Sequence, residues 1–391
     1  MQSQGESAQI FDEALEQLNQ IEHGSRKRIP DGSIPLDGFG SILAEAKTRT
    51  DERIEGHLAR GPFTRAMPRV VFDFVDGLVL DAIAFTPDRG FPIIAFSACG
   101  VAAIHHAMLR LMSSPNVLPD IGDPRLERPD LPFIPLSVDF DEIGEYMARS
   151  GVTMGDYMPV DHTREIVART MADFAVDFII SHEFRHHQAG HVVYWGDVSA
   201  SRSMRELQSD LATPELAMVS QALEMDADCY AIKSVLHHAL WVVENLDRLP
   251  RGWRAALPDA EQALFLSIMA PYVVFKLFAM ADMSSEAWEV QSHPAPALRG
   301  LMIQATAMEC LKRWGRDDLT DKLPAVLPKV IDVGERQFAS LARLPISRDT
   351  LVSAMGPVGQ LHVSKILKAW TAIEEPLAKF SYVSLGEAVN P

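Results

Sequence analysis

Residues 181–191 read Ser-His-Glu-Phe-Arg-His-His-Gln-Ala-Gly-His and contain the pattern H-E-x-x-H. Side chains four residues apart lie on one face of an α-helix, so His182 and His186 can each offer an imidazole nitrogen to one metal ion. Glu183 then faces the position beside the metal where a water molecule binds. The pattern predicts a zinc site suited to hydrolysis.

The residues before this stretch predict its surroundings. Apolar residues recur at helical spacing between residues 166 and 180, which predicts a long, largely buried helix over residues 163–193 that carries the motif late in its length. A buried ionisable group without a partner is costly. Two interpretations follow for the histidines and the glutamate: a metal site, or a hydrogen-bonded polar network in the core.

Composition and charge limit the classes of function. The chain has 391 residues, enough for one large domain or two modest ones, and a net charge of −17 that argues against nonspecific binding to nucleic acid or to an anionic membrane surface. Its three cysteines, Cys99, Cys229 and Cys310, are widely spaced in apolar patterns, which is typical of a reducing compartment. The polar N-terminus lacks the features of a signal peptide, so we expect a cytoplasmic protein.

One apolar segment resembles a membrane span by its composition. Residues 263–281 are almost all apolar, but they include Pro271 and Lys276 and barely reach the length that crosses a bilayer. We interpret the segment as a buried helix and expect no membrane association. A membrane span is the alternative, because a single lysine can extend to the interface and a proline is tolerated in a span.

Three runs rich in β-forming residues occupy residues 70–75, 78–85 and 91–96. The pair Asp76-Gly77 joins the first two runs, and residues 87–90 join the second and third. Asp-Gly between two such runs is a strong hairpin signal. The pattern predicts a three-stranded antiparallel meander.

Helical spacing of apolar residues dominates the rest of the chain. Besides the helix that carries the motif, the predicted helices cover residues 10–21, 100–112, 139–149 and 215–246, and helical segments continue from residue 299 to the end. Proline-rich sequence predicts interruptions near residues 323–328, 345–357 and Pro376, and irregular connections over residues 115–135 and 196–214. The predicted fold class is α+β, mainly helical, with a small antiparallel sheet of about three strands and long helices at the site.

A catalytic zinc site normally uses three protein ligands and keeps one position open, so a third ligand is needed. His191 is nearest in sequence, but five residues beyond His186 corresponds to about 140° around a continuous helix. His191 can reach the same ion only if the helix ends near Gly190. The longer pattern H-E-x-x-H-x-x-G-x-x-H does not fit, because Ala189 and Val192 occupy its glycine and last histidine positions.

Glu224 is the better candidate for the third ligand. Glu224 and Asp228 are four residues apart in the next predicted long helix and share one of its faces. The Glu224 carboxylate can bind zinc, while Asp228 can accept a hydrogen bond from a liganding imidazole and fix its tautomer. Small Ala227 allows the two helices to approach closely. The alternative is a solvated acidic edge on an amphipathic helix.

Three segments resemble, in the same order, the motifs of the gluzincin metallopeptidases, in particular the HtpX and CAAX-prenyl-protease family. Residues 182–191 match H-E-x-x-H-x-x-x-G-H, residues 224–231 match E-x-x-A-D-x-x-A, and residues 293–299 resemble a histidine-proline pair followed by arginine. The chain departs from that family in lacking clear transmembrane helices and in its long terminal extensions. The zinc motif alone is also similar to that of the soluble Lit-type phage-exclusion peptidases.

The resemblance implies a role for each motif residue. The implied zinc ligands are His182, His186 and Glu224. The implied catalytic residue is Glu183, and the implied supporting residues, beside a ligand, the substrate or the oxyanion, are Asp228, His293 and Arg299. The resemblance also implies a zincin-like metallopeptidase domain over residues 68–300, preceded by a helix and loop extension over residues 1–67 and followed by a packed helical region over residues 301–391.

The predicted function is a zinc-dependent endopeptidase that acts on a protein or peptide substrate. Glu183 takes a proton from the zinc-bound water, which attacks the peptide carbonyl, and then delivers the proton to the leaving amine. His293 is the first candidate for an oxyanion donor and Tyr230 the second, while the alternative for His293 is a turn residue before Pro294. We expect the substrate to lie extended along an edge of the sheet within residues 69–96.

Two other classes of function remain open. The first is a non-enzymatic regulatory or binding protein in which zinc braces helices; structural zinc usually has four protein ligands and often uses cysteine. Whether His191 also reaches the metal distinguishes this class. The second is a zinc hydrolase of non-peptide substrates, because the same chemistry serves different substrates.

Overall fold

The computed structural model is mainly helical and contains one small mixed sheet, which confirms the α+β, mainly helical, fold class. The residues that the structure describes are 4–30, 39–76, 81–128, 149–151, 154–199, 203–205, 213–278, 288–338 and 349–385. The predicted helix over residues 139–149 lies almost wholly outside these ranges. The predicted division at residues 67 and 300 stays a prediction.

The N-terminal part of the chain supplies three helices and three strands. In chain order these are α1 (Gln4–Glu22), α2 (Phe39–Arg60), β1 (Val71–Val75), β2 (Ala82–Phe85), β3 (Ile93–Ser97) and α3 (Ala98–Met112). Helix α2 was not predicted from the sequence. Short 3-10 helices follow at Pro124–Leu126 and Met154–Tyr157.

The rest of the chain is helical apart from one short strand. The elements are α4 (His162–Gln188), α5 (His191–Ser199), β4 (Ser203–Arg205), α6 (Pro214–Glu244), α7 (Arg251–Ala256), α8 (Ala260–Phe278), α9 (Pro296–Arg313), α10 (Asp317–Thr320), α11 (Leu323–Ile331), a π-helix (Asp332–Gln337), α12 (Asp349–Met355) and α13 (Pro357–Ala378). Strand β4 lies in the stretch that was predicted to be irregular.

The predicted antiparallel meander is wrong. The strand order is β1-β3-β2-β4; β1 pairs in parallel with β3, while β2 is antiparallel to both β3 and β4. The first three strands are buried along their whole length, so they have no alternation of polar and apolar residues to specify their neighbours. Asp76 therefore precedes a connection between strands that do not pair, and Gly77 lies outside the described residues.

Helix α4 lies at the centre of the fold. It packs against α6, α3 and α8, and against β2 of the sheet. The large apolar core around it extends in sequence from Leu43 to Phe338. The N-terminus of α4 is capped by the Asp161 side chain, which accepts a hydrogen bond from the Arg164 amide. The helix that carries the motif is thus buried, as the sequence predicted.

The end of α4 determines where His191 lies. The helix stops at Gln188, earlier than predicted, because Gly190 adopts a left-handed conformation with φ of 75°. A Cβ atom at this position would lie 2.5 Å from the carbonyl carbon of Phe380, so the close approach of the C-terminal segment also requires glycine. The chain then starts α5 at His191 in a new direction.

Arg164 fixes the irregular segment that follows α3. Its guanidinium is fully buried and donates five hydrogen bonds of 2.8–3.0 Å to main-chain carbonyls. The acceptors are the carbonyl oxygens of Met112, Ser114, Val117, Leu118 and Ile121. Five is the full number of N–H donors of an arginine, so one side chain satisfies main-chain groups that no helix or strand pairs.

Prolines interrupt the C-terminal region less than the sequence predicted. Residues 323–331 form α11, with Pro324 in its first turn, where the missing N–H has no intrahelical partner in any case. Pro328 and Pro376 lie inside α11 and α13, respectively, without ending either helix. The proline signal therefore overstated the breaks in this region.

Among the described residues, one helix, Ala260–Phe278, is long and apolar enough to cross a membrane by length and composition. In the fold, 78% of its most apolar window is buried inside the protein. The hydroxyl of Tyr272 donates to Glu335 and Lys276 forms an ion pair with the same carboxylate. The segment therefore packs as a helix of the core.

Two adjacent histidines of α3, His105 and His106, are buried without polar partners. Within the described part of the chain, no ring nitrogen of either residue has a hydrogen-bond partner. Burial lowers the pKa of His105 to about 3 and that of His106 to about 4. Both rings are therefore neutral in the folded protein at neutral pH.

These pKa values predict sensitivity to acid. Both lie below the ordinary value of 6.5, so stability is fully present above that pH and is lost as the pH falls toward 4 and 3. Replacement of one ring, His106→Phe, should reduce the free energy of unfolding lost between pH 6.5 and 5 by about 2 kcal/mol. Urea unfolding measured over this range for both proteins checks it. An identical pH dependence in the two proteins would contradict the assignment.

Candidate metal centre

Helices α4 and α6 bring three potential ligands together. The Nε2 atoms of His182 and His186 are 2.9 Å apart. Oxygen Oε2 of Glu224 lies 3.0 Å from Nε2 of His182, and Oε1 lies 3.5 Å from Nε2 of His186. Among the described residues, these three form the group whose ligand atoms all lie within 4.8 Å of one another. Glu224 therefore completes a group that could hold a metal ion, and its role as the third ligand stays a prediction.

The three side chains fit a metal ion. A tetrahedral zinc ion with bonds of about 2.0–2.1 Å places its ligand atoms about 3.3 Å apart. The two Nε2 atoms are 2.9 Å apart, and each lies within 3.5 Å of one of the two carboxylate oxygens of Glu224, so the separations are of that size. All three side chains are at least 98% buried. Two imidazole nitrogens and a carboxylate that converge away from solvent can hold a metal ion.

The protonation states also suit a metal. Burial lowers the pKa of His186 well below its ordinary value, so this ring is neutral. Burial alone would raise the pKa of Glu224, but His293, whose Nε2 atom lies 3.1 Å from Oε2, holds that pKa well below its usual range. A neutral imidazole and an ionised carboxylate are the forms that bind metals.

His182 is oriented by a carboxylate and an arginine. Its Nδ1 atom lies 3.0 Å from Oδ1 of Asp228, and Arg299 donates two hydrogen bonds of 2.8 Å to the same carboxylate. Burial would raise the pKa of Asp228, but the charge and hydrogen bonds of Arg299 lower it overall. The charged Asp228 accepts the Nδ1 proton of His182, so Nε2 presents its lone pair to the cluster. The structure thus places Arg299 against Asp228.

His191 contacts the outer nitrogen of His186. Helix α4 ends before Gly190, which allows His191 to approach the cluster. The Nδ1 atom of His191 lies 3.0 Å from Nδ1 of His186. This is the outer nitrogen of His186, since its Nε2 atom is the one that faces Glu224. His191 is therefore not a member of the ligand group.

Asp226 and Arg185 continue the contacts beyond His191. Nε2 of His191 lies 3.3 Å from Oδ2 of Asp226, and Arg185 donates two hydrogen bonds, of 2.7 and 3.2 Å, to the same carboxylate. Burial would raise the pKa of Asp226, but Arg185 and His191 hold it well below its usual range. The sequence reasoning missed both Asp226 and Arg185, although Asp226 lies between the two acidic residues that it singled out.

Glu183 and His293 lie next to the ligands. Glu183 follows His182 on α4 and is 1% exposed. Nε2 of His293 lies 3.1 Å from Oε2 of Glu224, and its Nδ1 atom lies 2.8 Å from Oγ of Ser292. The side chain of His293 is 14% exposed, more than any of the three ligands. The structure thus brings His293 into contact with Glu224, while Glu183 is buried on α4 directly after His182.

Gln221 holds the segment that carries His293. Its amide nitrogen donates to the carbonyl oxygens of Trp288 and Gln291 at 2.6 and 2.9 Å, and its amide oxygen lies 2.7 Å from Nε2 of His362 on α13. Gln221 is one helical turn before Glu224, so its position on the ligand face was the available sequence signal. Its partners are distant in sequence and gave no such signal.

Two other residues near the motif have structural contacts. The hydroxyl of Tyr230 lies 3.0 Å from Nδ1 of His57, so this candidate oxyanion donor is already engaged. Nε2 of His187 lies 2.9 Å from the carbonyl oxygen of Ile93, and burial lowers the pKa of His187 to about 4. The neutral ring donates to that carbonyl and ties the end of α4 to strand β3.

Comparisons of the chain with models of protein families, with curated proteins and with solved structures gave no match in any of the three. The function proposed below is therefore inferred from the geometry of these residues and from the motifs that they occupy.

The geometry predicts that zinc affinity falls more when a ligand is removed than when the residue that orients a ligand is removed. Glu224→Ala should lower zinc affinity by more than about 100-fold, because it removes a ligand, whereas Asp228→Ala should lower it by about 10–100-fold, because it removes only the partner of an imidazole. Competition with a chromogenic chelator on the folded proteins measures both values. Glu215→Ala, an exposed glutamate of the same helix, is the matched control. Wild-type affinity in Glu224→Ala would exclude Glu224 as a ligand.

Proposed function

We propose that this protein is a zinc-dependent endopeptidase of the gluzincin type, with a zincin-like catalytic core. The observation that carries the proposal is the buried group of His182, His186 and Glu224, with Glu183 adjacent to the first ligand and His293 beside the third. Two histidines and one glutamate are a ligand set of catalytic zinc sites, which leaves a fourth position for water or substrate. The proposed partners are protein or peptide substrates in the cytoplasm.

His182, His186 and Glu224 would hold the zinc ion. When bound, zinc lowers the pKa of a water molecule and polarises a carbonyl group, so it supplies both nucleophile and electrophilic activation. Asp228 keeps the Nε2 lone pair of His182 directed at the ligand position, since its carboxylate accepts the Nδ1 proton. Asp228 thus fixes the orientation of the His182 ring independently of the metal.

Glu183 is the proposed general base. It lies on α4 directly after His182, and a carboxylate within hydrogen-bond reach of the attacking water accepts its proton. The same carboxyl group then donates this proton to the nitrogen of the leaving amine, which returns Glu183 to its starting state. Because Glu183 is not part of the ligand group, its role is proton transfer rather than metal binding.

His293 is the proposed donor to the oxyanion. Its Nε2 atom lies beside Glu224, and Ser292 contacts the opposite ring nitrogen, so the ring has a fixed orientation. Gln221 holds the main chain on the N-terminal side of His293 through two hydrogen bonds. Tyr230 suits this role less well, since its hydroxyl already contacts His57. A donor placed in advance at this position stabilises the developing negative charge.

The geometry of the sheet changes the expected path of the substrate. The outer side of β1 is occupied: the Ile29 amide donates to the carbonyl of Phe74, and the Lys47 amine donates to that of Phe72. Strands β2 and β3 are paired on both sides. The edge beside β2, the strand that packs on α4, is β4. We therefore place the substrate strand along β4 instead of along residues 69–96.

The ligand geometry supports a hydrolase over a zinc-braced structural protein. A structural site is closed by four protein ligands, and His191 was the nearest candidate for the fourth. Its contact is with Nδ1 of His186, on the far side of that ring from Glu224. A three-ligand site with a neighbouring carboxylate is the arrangement expected for activation of water.

The central test is Glu183→Gln. Wild type and variant should each carry about one zinc per chain, because Glu183 is a base and not a ligand, while the variant should lose hydrolysis. Metal analysis gives the first value, and proteomic comparison of cells that express either protein gives the second, as cleavage products present only with the wild type. Glu165→Gln, on the first turn of the same helix, is the control. Absence of zinc after gentle purification and reconstitution would refute the proposal.

A second test addresses His293. His293→Ala should lower turnover by about 10²–10³-fold, the loss expected for one oxyanion donor, with little change in zinc content. Turnover is measured on a peptide that spans a cleavage site found in the proteomic comparison. Tyr230→Phe should have a much smaller effect, because the Tyr230 hydroxyl contacts His57. Equal turnover in His293→Ala and wild type would show that His293 is only a turn residue.

A further inference from the structure

We propose that His191 and Asp226 are positioning residues that select the metal-binding tautomer of His186. The inference rests on the proposed function in one respect, namely that His186 is a metal ligand. Its basis is a continuous line of buried contacts. Nδ1 of His186 lies 3.0 Å from Nδ1 of His191, and Nε2 of His191 lies 3.3 Å from Oδ2 of Asp226. Arg185 pairs with that carboxylate.

The proton positions follow from the chemistry of imidazole. Two ring nitrogens 3.0 Å apart form a hydrogen bond only when one of them carries a proton. For His186 to present a lone pair at Nε2, its proton must be on Nδ1. Nδ1 of His191 must then be the acceptor, which leaves the proton of His191 on Nε2, the nitrogen beside Asp226.

The opposite arrangement is disfavoured by Asp226. A proton on Nδ1 of His191 would leave its Nε2 lone pair facing a carboxylate that Arg185 keeps ionised. The proton of His186 would then lie on Nε2, where it blocks the ligand position. The carboxylate thus stabilises the one set of tautomers in which His186 can bind a metal.

The two ligand histidines are therefore oriented by different carboxylates, one in direct contact and one through a second imidazole. Asp228 contacts His182 directly, and Arg299 pairs with Asp228. Asp226 acts on His186 through an additional imidazole, that of His191. A buried pair of Arg185 and Asp226 would be satisfied without His191, so the contact of His191 with a ligand nitrogen is the feature that indicates positioning.

A matched pair of substitutions tests this role. His191→Leu removes both the acceptor for His186 and the ring nitrogen that faces Asp226, and zinc affinity should fall by about 10–100-fold. His191→Gln keeps an amide oxygen for His186 and an amide N–H for Asp226, so affinity should return to within about threefold of wild type. Both values come from chelator competition at one pH. His187→Leu is the control, since it also removes a buried histidine but one that contacts the carbonyl of Ile93.

Nitrogen NMR of the zinc-loaded wild-type protein provides a test without any substitution. The Nε2 atoms of His182 and His186 lie 2.9 Å apart, so their lone pairs converge only when a metal ion lies between them. Long-range proton–nitrogen spectra of the loaded protein should show His186 protonated at Nδ1 and His191 protonated at Nε2. A proton on Nδ1 of His191, or equal zinc affinity in wild type and His191→Leu, would overturn the inference. Failure of the wild type to bind zinc would refute the proposed function and this inference together, whereas normal zinc affinity with His191 protonated at Nδ1 would refute this inference alone.

Discussion

The crossing of α4 and α6 is the constraint on which the rest of the structure depends, because each helix buries polar and charged groups whose partners lie on the other. Arg185 on α4 pairs with Asp226 on α6, and His182 contacts both Glu224 and Asp228. A buried charge that loses its partner costs several kcal/mol, of the order of 3–5 kcal/mol when one member of a pair is removed. Sliding one helix along the other by a turn would break all of these contacts together. The polar groups therefore fix the register of the two helices, while the surrounding apolar residues supply the driving force for their association.

The parts of the site that follow from helical periodicity were predictable from the sequence, and those that depend on where the chain turns were not. Spacing of four residues was sufficient to group His182 with His186 and Glu224 with Asp228. The role of Asp226 was missed because two residues along a helix correspond to about 200° of rotation, which places its side chain off the face that had been identified. The position of His191 depended on the end of α4, and hence on the left-handed conformation of Gly190.

The sheet shows the same limit at a larger scale. The presence of the first three strands could be predicted from the apolar runs, but the order β1-β3-β2-β4 depends on contacts between residues distant in sequence. Strands buried on both faces carry no alternation that would distinguish a neighbour on one side from a neighbour on the other. His187, whose ring donates to the carbonyl of Ile93, links this sheet to the end of the metal helix. The adjacent residues His186 and His187 therefore have different contacts: His186 belongs to the cluster, and His187 contacts the sheet.

Burial of the cluster has a consequence for how the proposed enzyme would meet its substrates. His182, Glu183 and His186 are each 1% exposed, so a substrate that approaches from their side would bind only to a rarer conformation in which these residues are accessible. The apparent affinity of any substrate is then its intrinsic affinity multiplied by the fraction of molecules in that conformation, and each 1.4 kcal/mol of opening free energy lowers it tenfold. Abundant cellular proteins that bind weakly would rarely be cut. A partner that favours the accessible conformation would raise the rate for every substrate by the same factor, so latency and activation would both follow from the packing of two helices.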